Sequence, residues 1–148
     1  MEESIGEYTI SIDKSKLQVA VILQYLSVES YWAKNIPLAV VQKSIDNSFC
    51  FGMYCKEVQI GFARVVTDHA TFAYLADVFI LEAHRGKGLS KQLMEFIFSH
   101  PDLQGLRRFC LGTRDAHGLY TQFGFKLIQK PEFWMEIKHD NFYIPQNA

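Results

Sequence analysis

Apolar and polar residues change their spacing several times along this chain, and each change marks an element. Residues 7–12 alternate and are β-prone, which predicts a first strand. Val19, Ile22, Leu23 and Leu26 then recur at i, i+3, i+4 and i+7, the spacing of one buried helical face. Asp13 or Ser15 is placed to cap that helix. Residues 30–35 break the pattern and predict a loop. Pro37 suits the first turn of a second helix, with Leu38, Val41 and Ile45 on one side. Asn47 and Ser48 end it.

Three strands follow in series, over residues 48–55, 58–66 and 71–80, with turns at 56–57 and 67–70. The third is apolar on both faces. Strict alternation puts Phe72, Tyr74, Ala76, Val78 and Ile80 on one face, and Ala73, Leu75 and Phe79 on the other. Such a strand is expected to be central and covered on both sides. Leu89, Leu93, Phe96 and Ile97 form the apolar face of a third helix. The next strand, 107–112, is expected to run parallel to its predecessor, because a helix crosses over between them. Asp115 is positioned to cap a short helix through Phe123, which Gly124 stops. Residues 125–129 and 133–138 read as two closing strands. The sum is an α/β fold with a mixed central sheet of about seven strands, flanked by helices.

Composition narrows the function. A chain of 148 residues suits one domain, spanning 1–148 with its core at about 7–138. Apolar residues make up 49% and aromatics 14%, enough to support a packed core. The net charge of −1 offers no broad basic excess for a nucleic acid backbone. No apolar run approaches the ~20 residues that span a bilayer. Three cysteines, Cys50, Cys55 and Cys110, cannot all pair and fit reduced thiols in a cytoplasmic protein. The acidic start, Met1-Glu2-Glu3-Ser4, lacks the positive region of a secretory signal. No metal-ligand spacing occurs, so no metal is expected.

The concentrated chemistry is Arg85-Gly86-Lys87-Gly88-Leu89-Ser90, between the apolar strand and the third helix. A strand, a glycine turn and a helix start make a place for phosphates. Free N–H groups at the helix N-terminus point at an anion, and the helix dipole adds positive potential. Gly86 and Gly88 let oxygens approach the main chain. Arg85 and Lys87 can add fixed charge. An ordinary helix-capping turn is the alternative. A kinase or NTPase loop is excluded, because no G-x-x-x-x-G-K-[ST] is present.

The element order, this loop, the preceding Asp77-Val78-Phe79-Ile80 and the later Thr113-x-x-Ala116-x-x-x-Tyr120-x-x-x-Gly124-Phe125 together resemble the GNAT superfamily of acetyl-CoA-dependent N-acetyltransferases. The likeness covers nearly the whole chain. Ser90 stands where the family has Gly or Ala, and Thr113 where it has Asn. The resemblance implies that acetyl-CoA lies between two splayed strands. Its pantetheine arm would pair with main chain at Val78, Phe79 and Ile80, and its pyrophosphate would sit on the amides from Arg85 through Gly86, Lys87, Gly88 and Leu89 to Ser90. The implied activity is transfer of an acetyl group to a primary amine by direct attack on the thioester. An acyl-CoA sensor without turnover is the alternative.

Roles follow for single residues. Developing charge on the carbonyl oxygen needs a donor, and the family implies the Val78 amide. Tyr120 occupies the family's tyrosine position and is the expected acid for the departing thiolate; the other reading is a core tyrosine. Asp77, a carboxylate in an apolar strand, is either the general base or a structural group paired with backbone or arginine. Proton removal by water alone is the third possibility. Tyr31, Trp32, Arg64, Arg114 and His117 are candidates for the acceptor side. Tyr31 and Trp32 equally suit lid packing, and Arg64 equally suits an edge-of-sheet surface. His84 and Asp115 are weaker. The acceptor, a small molecule or a protein amine, is not legible. A homodimer is compatible with small family members.

Overall fold

The computed structural model describes residues 2–143. Its centre is a six-stranded sheet in the order β1-β2-β3-β4-β5-β6. β1 (Glu2–Ile5) and β2 (Tyr8–Ser11) form an N-terminal hairpin. The alternation at 7–12 predicted β2; β1 is an addition. The chain then makes α1 (Val19–Gln24), a single π-helical turn (Tyr25–Glu29) and α2 (Leu38–Asp46). β3 (Phe49–Cys55), β4 (Val58–Thr67) and β5 (Phe72–Ile80) follow as an antiparallel meander. α3 (Leu89–Phe98) crosses over to β6 (Arg108–Leu111), which runs parallel to β5. The short α4 (His117–Thr121) comes last. No described helix is long and apolar enough to cross a membrane.

Two apolar clusters lie on opposite faces of this sheet. Phe51, Met53, Val65 and Leu75 meet Leu89, Leu93 and Ile97 of α3 in one. Cys50, Phe62 and Phe79 meet Ile22, Leu26, Val41 and Ile45 of α1, its π turn and α2 in the other. The helical spacings in the sequence therefore mark the buried faces, except that Leu38, in the first turn of α2, is exposed. The predicted loop at 30–35 is also present, held where Ser30 Oγ donates to the Leu26 carbonyl and accepts from the Ala33 amide.

β5 departs from strict alternation. Arg64 pairs with Ala76 and Phe62 with Phe79, so two β5 residues, Asp77 and Val78, oppose the single Ala63. This is a β-bulge, and Asp77 takes φ +55° within it. The bulge reverses the facing of everything beyond it. Ala73 and Leu75 point to the α3 cluster, but beyond the bulge Ile80 does so, while Phe79 points to the α1–α2 cluster. The expected grouping of Phe79 with Leu75, and of Ile80 with Tyr74, is thus corrected. Tyr74 is also exposed, because β5 lies next to the edge strand and not at the sheet's centre.

The C-terminal region corrects the strand count. The closing strands predicted over 125–129 and 133–138 are absent; residues there are extended or turn-like, with one 3-10 turn at Pro131–Phe133. Their alternation is strand-like, but they pair with no strand among the described residues. α4 is shorter than predicted, and Asp115 does not cap it. Thr113 Oγ1 instead accepts from the Ala116 amide.

Candidate active site

β5 and β6 pair only from Phe72–Arg108 to Leu75–Leu111. Past Leu75, β5 continues for five residues with β4 on one side and, among the described residues, no strand on the other. The main chain of Ala76 to Ile80 therefore borders an opening between two parallel strands. Val78, Phe79 and Ile80 all lie on this stretch. Phe79 and Ile80 are buried, and Tyr25 stacks on Phe79 with ring centroids 4.1 Å apart. The Phe79 and Ile80 side chains are anchored in the core, while β6 leaves the strand edge beside them unpaired.

The opening leads to the glycine turn. Gly86 and Gly88 have φ of +79° and +74°, and a Cβ on either would meet nothing within 4 Å. Gly88 is the N-cap of α3 and, lacking a side chain, leaves the first amides of that helix uncapped. Leu89 is buried in the α3 cluster and fixes the helix start. The residues from Arg85 to Gly88 are exposed. An anion approaching here meets open main chain rather than side chains.

The two basic residues are braced by tyrosines that the sequence did not single out. Arg85 Nε donates to the Ile80 carbonyl at 2.9 Å, and its Nη2 to Tyr25 Oη at 3.1 Å. Lys87 Nζ donates to Tyr8 Oη at 3.1 Å, which holds the ammonium pKa above its ordinary value. Tyr8 Oη also bonds His84 Nδ1 at 2.9 Å. These links run from β2 and the π turn to a loop more than fifty residues later, beyond the reach of any local motif.

A second cluster gathers five residues singled out in the sequence. Asp77 Oδ2 accepts from Arg64 Nε at 2.8 Å, and its Oδ1 from Trp32 Nε1 at 2.8 Å. Arg64 Nη1 also donates to Ser48 Oγ at 3.1 Å. Arg64 sits on an interior strand with a largely covered side chain, so the edge-of-sheet alternative does not hold. Trp32 meets Tyr31 edge to face, with centroids 5.0 Å apart. The Arg114 guanidinium lies 3.9 Å from the Tyr31 ring centroid, and the Arg114 amide donates to Tyr31 Oη at 3.1 Å. The segment before α2 is thereby tied both to the β5 bulge and to the loop after β6. Both Asp77 oxygens thus accept a hydrogen bond, one from Arg64 and one from Trp32.

Tyr120 and His117 stand apart from that cluster. They line a cavity of about 780 Å³ together with Phe109, Leu111 and Thr113. Tyr120 is buried, and loss of solvent pushes its phenol up to about 12. It thus holds its proton through the neutral range. Burial also raises the Cys110 thiol, on the wall of the same cavity. Among the described residues, no group of three or more His, Cys, Asp or Glu side chains is arranged to hold a metal ion.

β5 and β6 thus part beyond Leu75, β5 is bulged, and an uncapped glycine turn opens α3. The family model of the acetyltransferase (GNAT) domain matches residues 46–127, more than half of the chain. The chain therefore belongs to the GNAT acetyltransferase family. The acetyl donor of that family is acetyl-CoA, the cofactor that the resemblance implied. A Gibberella zeae protein assigned as an acetyltransferase, FG08082, is 33% identical over 137 residues, covering 78% of this chain and 76% of its own. A Xanthomonas campestris protein (xcc2953), assigned to the same family, has a crystal structure with 49% identity and a TM-score of 0.93. That match covers 96% of this chain and 100% of the other. A Clostridium acetobutylicum protein assigned as an acetyltransferase and crystallised with acetyl-CoA has the same fold at 13% identity, with a TM-score of 0.65 over 93% of this chain and 96% of its own.

Proposed function

We propose that this chain, acting as one domain over residues 1–148, is an N-acetyltransferase that passes the acetyl group of acetyl-CoA to a primary amine. The ends of that domain, residue 1 and residues 144–148, lie outside the described residues. The observation that carries the proposal is the free edge of β5 beyond Leu75, leading to the uncapped start of α3. Val78, Phe79 and Ile80 offer main-chain groups to the pantetheine amides. Of the amides expected to hold the pyrophosphate, Arg85 to Ser90, that of Arg85 already donates to the Glu82 carbonyl; those from Gly86 to Ser90 would hold it, with the Arg85 and Lys87 side chains adding charge at its rim.

When bound, acetyl-CoA supplies an activated thioester. The Val78 N–H serves as the donor toward negative charge developing on a carbonyl oxygen. Tyr120 keeps a proton available for the departing sulfur, and its burial keeps that proton in place at neutral pH. Asp77 acts on position: it fixes Trp32 and Arg64, and water receives the amine's proton. Tyr31, Trp32, Arg114 and His117 border the acceptor side, where a small molecule or protein amine is taken up. The three free thiols support a cytoplasmic setting.

Thermal unfolding with ligands tests the cofactor half. Acetyl-CoA at ~100 times its Kd adds about 2.7 kcal/mol to stability, and ATP adds far less. Stabilisation by ATP and none by acetyl-CoA would sink the proposal. Release of CoA across a panel of amines then separates turnover from sensing. Tight binding with no release from any amine identifies the sensor.

A further inference from the structure

His84 ends the 3-10 turn Glu82–His84, just ahead of Gly86, and the proposed reaction makes no use of it. Its half-buried ring stands edge-on to Tyr8 of β2, with centroids 5.7 Å apart. Tyr8 is buried in the cluster that holds Leu89 of α3, and its hydroxyl reaches the turn. Tyr8 Oη meets His84 Nδ1 at 2.9 Å and Lys87 Nζ at 3.1 Å, so the two nitrogens lie within about 6 Å of each other. Arg85 turns the other way, to the Ile80 carbonyl and to Tyr25 in the cluster on the opposite face of the sheet. The other groups within electrostatic reach of Lys87 are Glu7, which precedes β2, and the Cys55 thiol, at the end of β3. Glu82 is exposed on the same 3-10 turn as His84.

The donors around the Tyr8 oxygen assign the tautomer of the histidine. An ammonium group only donates, and a phenol has a single proton. Lys87 therefore gives a hydrogen to Tyr8 Oη, and Tyr8 gives its own to His84 Nδ1. The imidazole proton is left on Nε2. A second proton, on Nδ1, turns the ring into a donor, and Tyr8 Oη then faces two cations. Repulsion from Lys87 opposes that state at such short range. A diphosphate on the amides from Gly86 to Ser90 supplies the charge that offsets it.

We propose that His84 takes up a proton from solvent when acetyl-CoA binds, and so joins Lys87 as a second cation on the α3 side of the glycine turn. The proton goes to Nδ1, and Tyr8 Oη becomes its acceptor. Resting on the acetyl-CoA reading of the turn, this makes His84 a residue that answers to the ligand's charge. Histidine is the side chain suited to do so near neutral pH. Because the bound protein holds more protons than the free one, affinity for acetyl-CoA rises as pH falls through the neutral range.

Isothermal titration calorimetry of acetyl-CoA, run near neutral pH in buffers of different ionisation enthalpy, counts the protons taken up. The ligand's own phosphate monoester also titrates near neutrality, so His84→Asn is the reference. Its amide oxygen still accepts from Tyr8, but it takes no proton. The wild type is expected to take up about 0.3–0.7 proton more than the variant, and its affinity to gain about 3- to 10-fold over the variant's between pH ~8 and pH ~6. Equal uptake by the two proteins overturns the proposal and leaves acetyl-CoA binding standing. No binding of acetyl-CoA at any pH removes the cofactor reading as well. A second measurement stays within the wild type. At a pH where the His84 Cε1–H resonance of the free protein shows the neutral ring, saturating acetyl-CoA is expected to move it to the position of the protonated ring. A resonance that keeps the neutral position also overturns the proposal.

Discussion

The proposed cofactor side and the proposed acceptor side of this molecule are made of different materials. On the first, main chain is what lies open: the free edge of β5 and the uncapped amides after Gly88. On the acceptor side, side chains from separate segments are locked to one another, Arg114 to Tyr31, and Trp32 through Asp77 to Arg64. Main-chain recognition asks little of side-chain identity and can be shared across a family. A surface made from distant side chains depends on the identity of each of them. In the proposed reading, the cofactor and the acceptor are therefore met by different parts of the chain.

The widest expected separation between the two sides comes from Tyr120. Tyr120→Phe lowers kcat by about 100-fold, while acetyl-CoA affinity, measured by calorimetry, stays within twofold or so. Equal rates for both proteins remove Tyr120 from the chemistry. Gly88→Val acts on the other side. At φ +74° a β-branched residue strains the helix start and displaces an amide from the anion. Acetyl-CoA binding weakens about 10–100-fold, with a small loss in Tm. Unchanged affinity separates the glycine turn from the ligand.

Asp77→Asn produces the smallest change in rate and the sharpest test of the boundary. It retains the shape but leaves the Arg64 cation without its partner, at a cost of about 2 kcal/mol in urea unfolding. Activity falls only a few-fold, about what loss of lid order costs, and the pH profile of kcat/KM keeps its position. A shift of that profile toward alkaline pH instead makes Asp77 the base.

The sequence exposed these sides unequally. The glycine loop was legible because strand, turn and helix start are contiguous, and the helical faces because 3.6-residue spacing is local. The Tyr8–Lys87 and Tyr25–Arg85 bonds were not, since nothing near Lys87 or Arg85 names a partner sixty or more residues earlier. Tyr31, Trp32, Arg64, Asp77 and Arg114 were each visible as unusual residues. Their joining was hidden by the bulge, which turns Asp77 out of the alternation that strand reasoning assumes. Residues 133–138 teach the complementary lesson. Alternation alone suggests a strand, but these residues pair with none among the described residues.

The extra residue in β5 also constrains how this gene can change. One residue of chain, less than 4 Å long, decides which hemisphere of the interior receives Phe79 and which receives Ile80. A single-codon deletion there would wrench both aromatic and aliphatic anchors to the wrong side at once. Point substitutions can drift through this strand, but its length is frozen.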